Sequence, residues 1–122
     1  MQKKILVADD DRQLVRLLKA SLVRNGYDVQ CANDGAATLK LIREFIPDLV
    51  VLDIIMPVID GYRICRTIFE DIQYRPLPKV IIATVRNEDI DRKLAQMAGV
   101  DAFIHKPYKM EEILSAIKDL LK

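Results

Sequence analysis

Ile5-Leu6-Val7-Ala8-Asp9-Asp10-Asp11 is the stretch whose reading decides the fold. Four apolar residues stand together without the spacing of an amphipathic helix, and they run straight into three acids. A short apolar run of this kind reads as a strand buried on both faces. The same device recurs along the chain. Leu49-Val50-Val51-Leu52 leads into Asp53, and Val80-Ile81-Ile82-Ala83 leads into Thr84. Ala102-Phe103-Ile104 leads, one residue on, to Lys106-Pro107. In an open parallel sheet these strand ends share one edge, where such folds bind ligands. Carboxylates, a hydroxyl and an amine far apart in sequence would meet there.

The segments between the runs read as helices. Asp10-Asp11 caps the first, whose buried stripe is Leu14, Val15, Leu17, Leu18 and Leu22, and Asn25-Gly26 closes it. Tyr27 to Ala32 alternates apolar and polar residues, the pattern of an edge strand. A second helix follows Asp34-Gly35 with Ala36, Leu39, Ile42 and Ile46 inward, ending at Pro47. A third carries Ile64, Cys65, Ile68 and Ile72 towards Gln73, and Tyr74-Arg75-Pro76-Leu77-Pro78 is expected to be loop. A fourth carries Ile90, Leu94, Met97 and Ala98 up to Gly99, and the last runs from Met110 to Leu121. Five strand-helix repeats predict one α/β domain over residues 1–122: a doubly wound, five-stranded parallel sheet with helices on both faces. Uniformly apolar strands one, three and four belong in the middle and alternating strand two at an edge. The order 2-1-3-4-5 satisfies both.

Composition removes several classes of function. The chain has 19 basic and 18 acidic side chains and a net charge of +1, with no basic block for gripping nucleic acid or anionic lipid. No apolar stretch is long enough to span a bilayer, and no signal-peptide pattern opens the chain, so a cytoplasmic location is expected. Cys31, Cys65 and His105 are widely spaced, which argues against a zinc site or a disulfide.

The acids admit two readings. Aspartate caps helices well, but capping needs one carboxylate. Three in a row, with Asp53 brought alongside, crowd like charge. A hard divalent cation relieves that repulsion, and carboxylates with water and a backbone carbonyl suit Mg²⁺. Lys106 and Mg²⁺ together neutralise Asp9, Asp10 and Asp53, leaving a site able to accept a phosphoryl group. Lys106 and Thr84 could then meet its oxygens.

With these pieces assembled, the chain resembles, along its whole length, the receiver domain of bacterial two-component response regulators. The resemblance rests on residues 5–11, on Val51 to Pro57 with Asp60-Gly61, on Thr84 and on Lys106-Pro107-Tyr108. It implies a flavodoxin-like sheet and Asp53 as phosphoacceptor. It implies Mg²⁺ held by Asp10, Asp53 and the Ile55 carbonyl, with Asp9 acting through water. Lys106 and Thr84 would contact the phosphoryl group, and Thr84 and Phe103 would form the switch. The donor would be a sensor histidine kinase or phosphotransfer protein. The readout face would be the fourth helix, strand five and the fifth helix, also a candidate homodimer face. The receiver of the signal would be a downstream output protein or an output domain in a longer chain. Two positions depart from the family pattern: Val85 stands where a small residue is usual, and Ile55 has no polar group to orient water.

Two other classes compete. A haloacid-dehalogenase-like phosphohydrolase also uses an Asp nucleophile after a strand, but it needs a second acid two residues on, where Ile55 stands. A flavodoxin-like FMN carrier would present hydroxyls and amides to phosphate, where Asp9-Asp10-Asp11 would repel it.

Overall fold

The computed structural model describes residues 2–57, 59–85, 93 and 99–122. In chain order they form β1 (Lys4–Ala8), α1 (Arg12–Arg24), β2 (Asp28–Ala32), α2 (Gly35–Phe45), β3 (Leu49–Leu52) and α3 (Gly61–Glu70). A 3₁₀ turn (Ile72–Tyr74), β4 (Lys79–Thr84), β5 (Ala102–His105) and a C-terminal helix (Met110–Leu120) follow. The strands make one parallel sheet in the order β2-β1-β3-β4-β5, as the burial pattern predicts.

Side chains alternate across each strand, so each run of apolar residues feeds two cores. Ile5, Val7, Leu49, Val51, Ile81 and Ala83 face α1 and the C-terminal helix, meeting Leu18, Leu22, Ile113 and Ile117. Leu6, Ala8, Val50, Leu52, Val80 and Ile82 face the other way, against Ile42 of α2 and Ile64, Cys65 and Ile68 of α3. A central strand therefore cannot afford a polar residue on either side. β2 has a neighbour on one side only, and Asp28 and Gln30 are exposed on one of its faces while Val29 and Cys31 pack inward on the other, until Ala32 is buried at its end.

Several inward assignments need correction. Leu17 is 58% exposed, because it lies about 100° round the helix from Leu18, at the edge of the stripe. Ala36 is exposed as well, and Thr38 takes the buried position, its hydroxyl donating to the Asp34 carbonyl at 2.7 Å. Ile46 is exposed and caps α2 in the left-handed region, with φ 52°. The third helix stops at Glu70, which leaves Ile72 82% exposed in the 3₁₀ turn. Its stop is chemical: the Arg75 guanidinium donates to the carbonyls of Ile68 and Phe69, both at 2.9 Å, satisfying the helix end. Tyr74, expected in a loop, is buried as the last residue of that turn. β4 runs on to Thr84, one residue beyond the apolar run. The expected fourth helix, with Ile90, Leu94, Met97 and Ala98, lies outside the described residues.

Candidate functional site

The backbone ladder does not stop where the strands stop. Asp9 N–H donates to the Ala32 carbonyl at 3.0 Å, Asp53 N–H to Ala8 at 3.0 Å and Lys106 N–H to Thr84 at 2.8 Å. Each of these residues thus continues the hydrogen-bond ladder one rung past its strand. All lie on the same edge because the strands are parallel. The structure brings Asp9, Asp10, Asp53 and Lys106 together, with Thr84 fully buried at the adjacent strand end.

The three consecutive acids divide their work. Asp11 caps α1, accepting from the Leu14 N–H at 3.1 Å. The capping reading therefore accounts for Asp11 alone. Asp9 turns inward and is buried, and Asp10 is exposed at the mouth. Lys106 Nζ sits between Asp9 Oδ2 at 2.5 Å and Asp53 Oδ2 at 2.8 Å. The second oxygen of each carboxylate accepts a backbone N–H, Asp11 for Asp9 and Ile55 for Asp53, both at 3.0 Å. Each buried carboxylate thus has a partner on both oxygens, as buried charge requires.

The electrostatics are unbalanced nonetheless. Burial pushes the Asp9 carboxyl above its ordinary value, although the hydrogen bonds from Lys106 and Asp11 and the ammonium charge pull the other way. Burial works against the Lys106 ammonium, but its hydrogen bonds to Asp53 and Asp9 outweigh that and hold its pKa above the usual lysine value. One ammonium faces three carboxylates whose oxygens lie within 4.8 Å of one another. Hard oxygen donors with excess negative charge fit a small divalent cation.

Gly61 is part of the site in a way its place in a turn did not announce. Its N–H donates to the Ile54 carbonyl at 2.9 Å. A Cβ added there would stand 2.7 Å from the Asp53 carbonyl oxygen and 2.9 Å from Ile54 Cα. The start of α3 is pressed against the backbone of Asp53 itself. Gly61→Ala should therefore destabilise the domain by about 1–3 kcal/mol, the usual cost of overpacking. Urea denaturation monitored by circular dichroism measures this, and a variant as stable as the parent would mean that α3 can retreat freely. The only signal in the sequence was Asp60-Gly61 ahead of a helix, with Asp60 as its cap.

Around this edge, Ile55 is 47% and Val85 62% exposed. His105 is exposed at the end of β5, with Nε2 3.1 Å from the Val85 carbonyl. Phe103 is half-buried on β5, opposite Ile82 of β4, and packs against the core shared with α2 and α3.

The response regulator receiver domain model matches residues 5–118. The chain belongs to that family. This receiver domain is 36% identical over 122 residues to the alkaline phosphatase synthesis transcriptional regulatory protein PhoP of Bacillus subtilis (strain 168), covering 100% of this chain and 50% of PhoP. It thus spans about half the length of the curated relatives it matches. Among solved structures, the CheY-like receiver domain protein from Methanospirillum hungatei JF-1 superposes with a TM-score of 0.92 at 29% identity, over 99% of this chain and 94% of that one. The BeF3-activated DrrB receiver domain does so with a TM-score of 0.88 at 32% identity, over 99% and 98%. The family and the flavodoxin-like sheet are therefore those of receiver domains in two-component systems.

Proposed function

We infer that a phosphoryl group is carried on Asp53. The observation behind this is the bridge from Lys106 to Asp9 and Asp53 at the one edge where four strand ends meet. An Asp53 carboxylate oxygen attacks phosphorus, the P–N bond of a phosphohistidine breaks, and the imidazole leaves as the acyl phosphate forms. Lys106 supplies the cation for the phosphoryl oxygens, and the Thr84 hydroxyl donates to one of them. Asp9, Asp10, Asp53 and the Ile55 carbonyl would hold Mg²⁺, which when bound offsets charge on the transferring group. The apolar Ile55 leaves no acid where a phosphohydrolase would need one to turn over phosphate esters.

The donor is a sensor histidine kinase or a phosphotransfer protein, and the listener is an output domain or protein. The setting is the cytoplasm; among the described residues no helix is long and apolar enough to cross a membrane. Phosphorylation biases an existing two-state equilibrium, with Thr84 and Phe103 as the moving pair. Beryllofluoride, a mimic of the acyl phosphate, tests this. With Mg²⁺ it should shift the amide resonances of β5 around Phe103 and of the C-terminal helix. Shifts confined to the loops after β1 and β3 would defeat the switch.

Mg²⁺ should raise the melting temperature by a few degrees, because it binds the folded acid cluster and not the unfolded chain. Asp9's pKa is raised on folding. Its contribution to stability is therefore greatest below 3.8, its ordinary value, and is lost as pH rises through the elevated one. At neutral pH the metal-free fold bears the whole cost of that buried charge. Asp10→Asn should then stabilise the metal-free protein by about one or two degrees, a small gain because Asp10 is exposed and screened. The same change should blunt the Mg²⁺ increment. Calorimetric melts at pH 7 with EDTA and with Mg²⁺ decide it, and a metal-free Asp10→Asn protein that melts lower than the parent contradicts the repulsion.

A further inference from the structure

Thr84 and Phe103 lie on neighbouring strands, and one side chain links the segments that carry them. His105 pairs with Thr84 in the register of β4 and β5. It stands two residues beyond Phe103, so it projects from the same face of the strand. The backbone ladder between the two strands reaches the Lys106 N–H, which donates to the Thr84 carbonyl at 2.8 Å. The His105 ring adds a further rung, with Nε2 3.1 Å from the Val85 carbonyl. A carbonyl oxygen only accepts, so Nε2 carries the hydrogen and donates it. Unlike the backbone rungs before it, this one depends on residue type. The sheet itself needs no imidazole here: the ring and Val85 are both exposed, and water could serve either.

We propose that His105 is a latch: it holds the chain just after Thr84 in its unphosphorylated arrangement and so sets how readily the switch is thrown. The proposal rests on Asp53 as phosphoacceptor and on Thr84 as the moving hydroxyl. The ring is engaged while Lys106 Nζ sits directly on the Asp53 carboxylate, 2.8 Å from Oδ2. A backbone turn that brings Thr84 to a phosphoryl group on Asp53 swings the next carbonyl with it and draws that carbonyl off the ring. A hydrogen bond made in only one of two states shifts their balance by its full net strength. For a bond of ordinary strength that is about two- to tenfold. His105 is thus a positioning residue, acting through Val85 and not on the phosphoryl group itself.

Three substitutions separate the donor from the ring. His105→Phe keeps a flat ring without an N–H, His105→Ala removes both, and His105→Gln keeps an N–H at similar reach. His105 is exposed, so all three variants should fold, with circular dichroism as the control. At one fixed pH, the carbonyl ¹³C resonance of Val85 should move in the Phe and Ala variants and stay near the parent's in the Gln variant. Beryllofluoride with Mg²⁺ should move it in the same direction in the parent. The Phe and Ala variants should bind beryllofluoride about two- to tenfold more tightly, because the competent state is no longer held back. The Gln variant should bind it like the parent. A Val85 resonance unmoved by the Phe substitution would overturn the hydrogen bond and the latch with it. Equal or weaker binding by the Phe and Ala variants, or a Gln variant that behaves like Ala, would overturn the latch. Acetyl phosphate labelling of the parent keeps the readings apart. If Asp53 is not labelled, the phosphoacceptor reading fails and the latch falls with it. If Asp53 is labelled while the variants keep the parent's affinity, the latch alone is wrong.

Discussion

Asp53→Ala should leave no phosphorylated protein after treatment with acetyl phosphate and Mg²⁺, where the parent gains one phosphoryl group. The expected loss is complete, because no other group at the edge is equipped to take over. Asp9 is buried, with one oxygen on Lys106 and the other on the Asp11 N–H. Asp10 lies at the mouth and Asp11 is occupied as the cap of α1. Asp53 is equally buried and makes the same pair of contacts, to Lys106 and to the Ile55 N–H, but it ends the central strand β3, between the ends of β1 and β4 that carry Asp9 and Thr84. Alanine also leaves Lys106 paired with Asp9, so the fold should survive and the result should report chemistry. Intact-protein mass spectrometry, with circular dichroism as the folding control, makes the measurement. EDTA should suppress labelling of the parent. Undiminished labelling of the variant would move the acceptor elsewhere.

The lifetime of the acyl phosphate is the second large effect. Hydrolysis needs a water in line with the phosphorus, so access and orientation set its rate. Ile55 follows Asp53 by two residues and is 47% exposed, and its side chain has no polar atom to hold such a water. Val85, 62% exposed, adds bulk just past Thr84. We expect slow decay in the parent, faster decay in Val85→Ala, and faster still in Ile55→Asn. A barrier change of ~1 to 2 kcal/mol corresponds to a few-fold to tens-fold in rate. The amount of phosphoprotein remaining after the donor is removed, at constant Mg²⁺, gives the number. Equal or slower decay in both variants would show that neither side chain governs the water.

The strands and their order were legible because a parallel sheet with two covered faces leaves no room for polar residues. Ile5 to Ala8, Leu49 to Leu52 and Val80 to Ala83 could be central, and Asp28 to Ala32 could not. The meeting of Asp9, Asp53 and Lys106 followed from that order. Helix faces were read less well. Periodicity gives the middle of an apolar stripe but not its width, hence the misplacing of Leu17 and Ala36. The end of α3 depends on Arg75 reaching back to Ile68 and Phe69, an interaction between side chain and backbone that no spacing rule announces. The close approach of Gly61 to Asp53 is likewise a matter of three-dimensional distance.

The extension of the ladder by one rung has a consequence for how the gene can change. Asp9, Asp53 and Lys106 are counted out from the strands behind them, one hydrogen bond at a time. A residue inserted within β1 or β3 would turn the following side chains to the opposite face of the sheet and carry the aspartate with them. A residue inserted beyond the rung would only lengthen a connection, at small cost. Insertions and deletions in related chains should therefore gather after these positions and avoid those before them, so that the loops can diverge while the reacting groups stay in register.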